Sequence, residues 1–370
     1  MLDLPGPKPS NSTNVPQAAE TEQPADVGGY SLKAITAQPF TAKAERDPDF
    51  TFGAISTTDI CNLECVMCHF NGPNAVKKSR QLTQQQVRKV LDQIPAGSQV
   101  YLAAGGDFFM DPHAEDHVEY ALSRGLVPVI LSHGQLYPPD RLQRLLHMGV
   151  RDFRISCDSI DAEHYAKIRR GGQFQNILNA IDYLNERRST YTGIRIDIHC
   201  TIFRKTFGKQ QEFVDFWRGK VDGVTFNAEY YDTWHFRNIF SAPKERKNCK
   251  INTYVQPSGK ITPCCALGVH QHENDLDWLP TVDTHTIPEA YQYLCDLYDD
   301  PNSPLAELCK KCDWWIVWAP NADGSTPYLR YVALPTPGAE PEPKAVAMLP
   351  EPVGFFARWL KSLWRPRSTS

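Results

Sequence analysis

Between Asp49 and Tyr231, short apolar or alternating runs take turns with stretches whose apolar residues recur at helical spacing. That pattern marks a βα repeat built on a parallel sheet. Thr51–Ser56, Gln99–Ala103, Val127–Leu131, Asp152–Cys157, Ile194–Ile202 and Val224–Ala228 are expected as strands. Thr83–Ile94, Ala114–Arg124, Pro139–His147, Phe174–Arg187 and Lys209–Trp217 are expected as helices. Six strands with crossover helices predict an α/β fold, a partial (β/α)6 barrel of TIM type. An open doubly wound sheet fits the same string, and periodicity alone does not choose.

The fifth run carries the most information. Ile194, Ile196, Ile198, Cys200 and Ile202 alternate with Arg195, Asp197, His199 and Thr201. In a barrel with its helices outside, the apolar set faces the helices and the polar set faces the cavity. The sixth run repeats this, with Val224, Phe226 and Ala228 against Thr225, Asn227 and Glu229. A polar cavity suits a polar substrate. The alternative is that Arg195, Asp197 and Glu229 pair with one another inside a barrel layer.

Outside residues 49–240 the pattern changes. Residues 1–48 are rich in Pro, Ser, Thr, Asn and Ala, which predicts a disordered lead-in. Residues 241–333 are expected to form a small α+β domain, with a hairpin at Thr253–Ile261 and a helix near Pro288–Tyr298. A Pro/Glu/Ala linker follows over 334–352. In the tail, 353–370, Phe355, Phe356, Trp359, Leu360, Leu363 and Trp364 share a helical face, with Arg358, Lys361 and Arg365 off it. Such a helix either docks on protein or rests reversibly on an anionic membrane surface.

The chain has 370 residues, of which 41% are hydrophobic, and a net charge of −4. A sizeable core is therefore available, and no global field points to nucleic acid. No apolar run is long enough to span a membrane. Eleven cysteines, most of them in two groups, with no signal peptide ahead of them, read as metal binding in a reducing, cytoplasmic compartment.

The first group is Cys61-Asn-Leu-Glu-Cys65-Val-Met-Cys68, directly after the first strand. A loop there lies at the C-terminal mouth of a barrel, where active sites of βα barrels sit. Three thiolates can hold three irons of a [4Fe–4S] cluster and leave the fourth open. A zinc site completed by His69 is the competing reading. The spacing resembles the signature of the radical S-adenosylmethionine (SAM) superfamily, with Met67 where an aromatic residue is usual. The resemblance implies that the open iron chelates SAM. One electron from an external flavodoxin- or ferredoxin-like donor then yields methionine and a 5′-deoxyadenosyl radical that abstracts hydrogen.

Three further segments look like that family. Ala104-Gly105-Gly106-Asp107 stands where the family has Gly-Gly-Glu, whose backbone and carboxylate hold the SAM ammonium; Asp107 is one methylene short. Ser132-His133-Gly134 stands where many relatives carry Thr-Asn-Gly. Ser156-Cys157-Asp158 is similar to the family's Ser-x-Asp, which implies that Ser156 and Asp158 meet the ribose or methionine part of SAM. The stretch from His164 through Ile168-Arg169-Arg170-Gly171-Gly172 to Ile177 resembles the loop and helix that follow. Gly105, Gly106, Asp107, Ser132, Ser156 and Asp158, with Arg195, Asp197 and His199, are thus expected around SAM or substrate.

In the second group, Cys249, Cys264 and the pair Cys309-Lys-Lys-Cys312 can give four thiolates to one metal, either a closed [4Fe–4S] cluster or zinc. This arrangement resembles the SPASM and shortened twitch domains of radical SAM enzymes. With no cysteine after Cys312, one auxiliary cluster is expected. Cys157, Cys200, Cys265 and Cys295 remain, and free cysteines are mostly small buried hydrophobes. If any serves as a hydrogen donor, Cys265 and Cys295 are the candidates, since strand alternation turns Cys157 and Cys200 outward. The resemblance implies a peptide or protein substrate or, alternatively, a sugar-like small molecule. It leaves oxidation, epimerisation and cross-linking open. A non-catalytic iron–sulfur or zinc protein is the alternative from another class.

Overall fold

The computed structural model describes residues 54–68, 80–102, 105–202, 206, 209–228, 251–264, 267, 276–312 and 331–338. The chain runs through β1 (Ala54–Ile55), β2 (Glu64–Cys65), α1 (Gln84–Leu91), β3 (Gln99–Leu102), α2 (Ala114–Ser123), β4 (Val127–Ser132), α3 (Pro139–Met148) and β5 (Asp152–Ser156). Next come α4 (Ala162–Ile168), β6 (Arg169–Arg170), α5 (Phe174–Glu186), β7 (Arg195–Ile202), α6 (Gln210–Trp217) and β8 (Gly223–Ala228). A hairpin of β9 (Tyr254–Val255) and β10 (Ile261–Thr262) follows, then α7 (Ile287–Asp299), α8 (Pro304–Lys311) and β11 (Tyr331–Ala333).

Strands β1, β3, β4, β5, β7 and β8 lie side by side in chain order, each parallel to the next. A doubly wound sheet reverses its strand order at a switch point; this one does not. Right-handed crossovers without reversal put every helix on one face, so the sheet curls into a partial barrel. The ambiguity left by periodicity is resolved by order.

Local chemistry explains the helix limits. Thr83 and Gln86 form a reciprocal capping box at the start of α1, as do Thr286 and Glu289 for α7. On α5, Phe174, Ile177, Ile181 and Leu184 fall on one stripe and are buried with Ile196, Ile198, Cys200 and Ile202 of β7 in the main core. The alternation along β7 therefore sorts its two faces as its pattern predicts. Cys157 and Cys200 go with the helix-facing side.

The C-terminal segment does not stand apart. β9 pairs in parallel with β1, and β11 pairs antiparallel with β8, so this segment supplies strands at both edges of the barrel sheet. On the β1 side the Gln86 amide donates to Asp283 (2.9 Å), and the Ile287 N–H donates to the Gln93 side chain (2.7 Å). On the β8 side Leu334 is buried, and its N–H donates to the Asp222 carbonyl (2.9 Å). The chain thus stays on the barrel past residue 333, where the linker was expected to begin. The expected lead-in, most of that linker and the amphipathic tail lie outside the described residues, as do Ala104, Glu229, Cys249 and Cys265.

Candidate active site

The cysteine loop is stitched at its base. Beyond β1, the Leu82 N–H donates to the Thr57 carbonyl (2.9 Å) and the Asp59 N–H to the Arg80 carbonyl (3.1 Å). The Arg80 guanidinium closes the joint on the Asp59 carboxylate (2.8 Å). Further out, β2 and β6 make an antiparallel ribbon that pairs Cys65 with Arg169 and Glu64 with Arg170. Leu63, Cys65, Met67 and Ile168 bury against one another as a small apolar cluster, with Cys61 and Cys68 packed on it. Met67 thus anchors the last turn of the loop on Leu63 and Ile168.

The Gly-Gly-Asp segment is laid against this loop. The N–H groups of Gly105, Gly106 and Asp107 donate to the Ser56 hydroxyl (2.7 Å) and to the carbonyls of Thr58 (2.8 Å) and Ile60 (3.0 Å). Any side chain at Gly106 would meet the backbone of Asp59 and Ile60. Asp107 is fully buried, and its carboxylate accepts from the Phe109 N–H (3.0 Å), the Ser132 hydroxyl (2.7 Å) and the His133 N–H (2.8 Å). Asp107 and Ser132, expected beside SAM, thus brace the ends of β3 and β4 together. His133 carries the brace on to the loop: its Nδ1 accepts from the Gln135 N–H (3.1 Å), so Nε2–H donates to Asn62 (2.8 Å). Burial lowers its pKa and keeps the ring neutral.

At the end of β5, Ser156 is half-buried and Asp158 is buried. The Asp158 carboxylate accepts from the Thr201 N–H (2.6 Å) and pairs with Arg169 Nε (2.6 Å). Arg169 Nη1 in turn lies 3.9 Å from Cys65 Sγ. Burial alone would lower the Arg169 pKa, but Asp158 outweighs it and the guanidinium stays charged. The expected Ser-x-Asp pair is therefore at the mouth, with Asp158 already engaged by a cation.

Arg195 and Asp197 pair with each other, the alternative to a place around SAM or substrate. They share the inward face of β7 with His199, but they lie at its N-terminal end, away from the cysteine loop. There Arg154 of β5 pairs with both Asp197 and Asp152. Arg195 reaches Asp197 (3.0 Å) and donates to the Tyr331 hydroxyl of β11 (2.7 Å). Gly223 makes room for this: a β-carbon there would sit 2.6 Å from the Tyr331 hydroxyl and 2.8 Å from Asp197 Oδ1. Alternation fixes the face a residue takes, but not its depth along the strand. Arg195 and Asp197 belong to an ionic layer at the barrel base.

His199 sits one layer nearer the mouth, in register with Ser156 of β5 and Thr225 of β8. Its Nε2 is buried and has no hydrogen-bond partner among the described residues. Burial, reinforced by Arg154 and Arg195 below, pushes its pKa down to about 3. The layer presents neutral polar groups to the interior.

The donor set at the mouth fits a thiolate-bound cluster. Burial pushes the Cys61 thiol up to about 12; it pushes Cys65 up to about 11, with Arg169 opposing. The three thiols lie near enough to bear on one another electrostatically. Both thiols are thus protonated at neutral pH until metal displaces the protons. Among the described residues no three His, Cys, Asp or Glu side chains converge on a single ion. In the second group, Cys309 lies in the last turn of α8 and Cys312 caps it; with Cys264 they pack half-buried against the main core. Cys295 is fully buried among the apolar residues of α7, an ordinary place for a cysteine.

Sequence reasoning assigned no role to Arg169, Asn62, His133 or Arg80. A signal existed for one of them: an arginine leading into Gly171-Gly172 beside the Ser-x-Asp strand.

Residues 55–209 match the family model described as the Radical SAM superfamily. The AdoMet-dependent heme synthase of Methanosarcina barkeri is 27% identical over 128 residues, 34% of this chain and 36% of that protein. The GTP 3′,8-cyclase of Marinobacter nauticus is 24% identical over 178 residues, 47% of this chain and 52% of that protein. The matched region thus spans a third to a half of these curated relatives. Among solved structures, native anSMEcpe with bound AdoMet shares the fold, with a TM-score of 0.50 and 12% identity over 71% of this chain and 86% of that chain.

Proposed function

We infer that this chain, whose residues 55–209 form a Radical SAM superfamily domain, reductively cleaves SAM and abstracts hydrogen from a polar substrate. One observation carries the reading: the Ser56–Ile60 segment that leads into the Cys61–Cys68 loop is hydrogen-bonded to the backbone of Gly105–Asp107 at the barrel mouth. When bound, the [4Fe–4S] cluster and SAM supply the one-electron cleavage of the sulfonium to methionine and a 5′-deoxyadenosyl radical. Cys61, Cys65 and Cys68 would hold the cluster. Ser156 and the inward carbonyls of the Gly-Gly-Asp turn are the groups left to orient SAM, because Asp107 and Asp158 already have protein partners. An external flavodoxin- or ferredoxin-like protein would provide the electron.

The layer of Ser156, His199 and Thr225 supports a polar substrate that accepts or donates hydrogen bonds without carrying charge there. We take a peptide or protein as the substrate class, on the strength of the family resemblance; a sugar-like alcohol is the second reading. Cys249, Cys264, Cys309 and Cys312 would hold one auxiliary cluster. The half-buried placing of the last three against one core supports this.

The experiment is anaerobic reconstitution with iron and sulfide, then SAM and dithionite, with 5′-deoxyadenosine measured by mass spectrometry. The wild type is expected to form it, and Cys61→Ala, Cys65→Ala and Cys68→Ala to lose it. Retained formation in all three variants would end the reading. Metal analysis decides the second site: about eight irons in the wild type and about four in the triple variant. Zinc there instead would make the C-terminal segment a structural metal site.

A further inference from the structure

We propose that Arg169 is a positioning residue whose buried charge sets the reduction potential of the cluster held by the Cys61–Cys68 loop. The inference rests on the cluster reading above. Four observations point the same way. The β2–β6 ribbon pairs Cys65 and Arg169 as direct partners, so the backbone fixes their separation. The guanidinium then places Nη1 3.9 Å from Cys65 Sγ, an N–H directed at sulfur. Arg169 is buried, with 8% of its surface exposed, so neither water nor salt screens it strongly. Its other side is held by Asp158, which is itself anchored by the Thr201 N–H, so the cation cannot swing away.

The physical consequence has a sign. Reduction adds one electron from the external donor to the cluster and makes it more negative. A fixed cation beside a ligand sulfur favours the reduced form, and hydrogen bonds to cluster sulfurs tune the potential in the same way. Asp158 works against this, since its carboxylate partly cancels the guanidinium. The pair is a balance with two arms: removing the cation makes the cluster harder to reduce, and removing the anion makes it easier.

That opposition separates an electrostatic role from a structural one. Arg169→Gln and Asp158→Asn break the same ion pair, so damage to packing would move both variants in one direction. The measurement is the midpoint potential of the reconstituted protein, followed by EPR in a mediated titration without SAM. A variant that also lacks Cys249, Cys264, Cys309 and Cys312 gives the signal of the first site alone. Arg169→Gln is expected to lower the midpoint by about 59 mV or more, a tenfold change in the one-electron equilibrium. Asp158→Asn should raise it, and Arg169→Lys should stay within about half the Gln shift. Midpoints that move together, or do not move, would overturn the role of Arg169 while leaving the cluster reading intact. Failure of the wild type to bind iron at the first loop would overturn the cluster reading itself. If Arg169→Gln holds no iron, the Lys and Asn variants still decide, because only an electrostatic role gives an upward shift in Asp158→Asn.

Discussion

A β-carbon placed on Gly106 would lie 2.3 Å from the carbonyl oxygen of Ile60. The clash is with backbone, which cannot rotate aside, and that backbone leads straight into Cys61. Gly106→Ala should therefore cost about 1–3 kcal/mol and displace the cysteine loop. Iron content after reconstitution should fall together with the denaturation midpoint. Full iron loading at wild-type stability would show that the two segments are not in contact.

Asp197 is fully buried between Arg154 and Arg195 at the barrel base. Asp197→Asn leaves two arginines facing Asp152 alone, and breaking a buried pair in this way costs about 3–5 kcal/mol. Tyr331→Phe removes a single hydrogen bond to Arg195 and should cost about 1 kcal/mol. Anaerobic urea denaturation reads both. A change in SAM affinity from Asp197→Asn with no loss of stability would return Asp197 to the cavity.

His199 gives a pH dependence. Its folded pKa is depressed to about 3, so below its unfolded pKa, near 6.5, only the unfolded chain takes up the proton. The stability it contributes is full above that value and is lost as pH falls from there towards 3. Lowering the pH from about 7.5 to about 5.5 should therefore cost about 1 kcal/mol through this residue. His199→Gln should flatten that part of the pH–stability curve. An unchanged slope would mean that the ring is hydrated and titrates normally.

Cys295 packs in the core of α7 rather than facing a reacting substrate. Cys295→Ala is expected to lower stability by about 1 kcal/mol, through lost contacts and a small void. Formation of 5′-deoxyadenosine should be unchanged, and so should solvent-deuterium incorporation into product. Loss of that incorporation at unchanged stability would restore Cys295 as a hydrogen donor.

Legibility in the sequence followed length and period. The strand runs containing Asp152–Ser156 and Arg195–Ile202 alternate over five to eight residues, and their bounds came within a residue or two. The two-residue strands Glu64–Cys65 and Arg169–Arg170 have no period to detect, yet they fix the geometry of the cysteine loop. Tyr331–Ala333 is legible only as a partner of β8, far away in the chain. At the site, spacing revealed which cysteines act together and which glycines lie at strand ends. It could not reveal that Asp107 and Asp158 turn to protein partners, because a carboxylate's partner is decided by tertiary approach. The same holds for Arg195 and Asp197, whose inward face was readable but whose depth was not.

The parallel pairing of Ala54 with Tyr254 joins residues 200 positions apart. During synthesis, β1 therefore lacks one neighbour until the chain has grown past residue 255. β8 waits longer, for Tyr331. Contacts of such separation are slow to form, and unpaired strand edges invite association with other chains in the meantime. The cysteine loop hangs from the strand that waits. Iron and sulfide delivered to a half-made chain would meet thiols on an unfinished scaffold, so metal loading is best timed after translation ends.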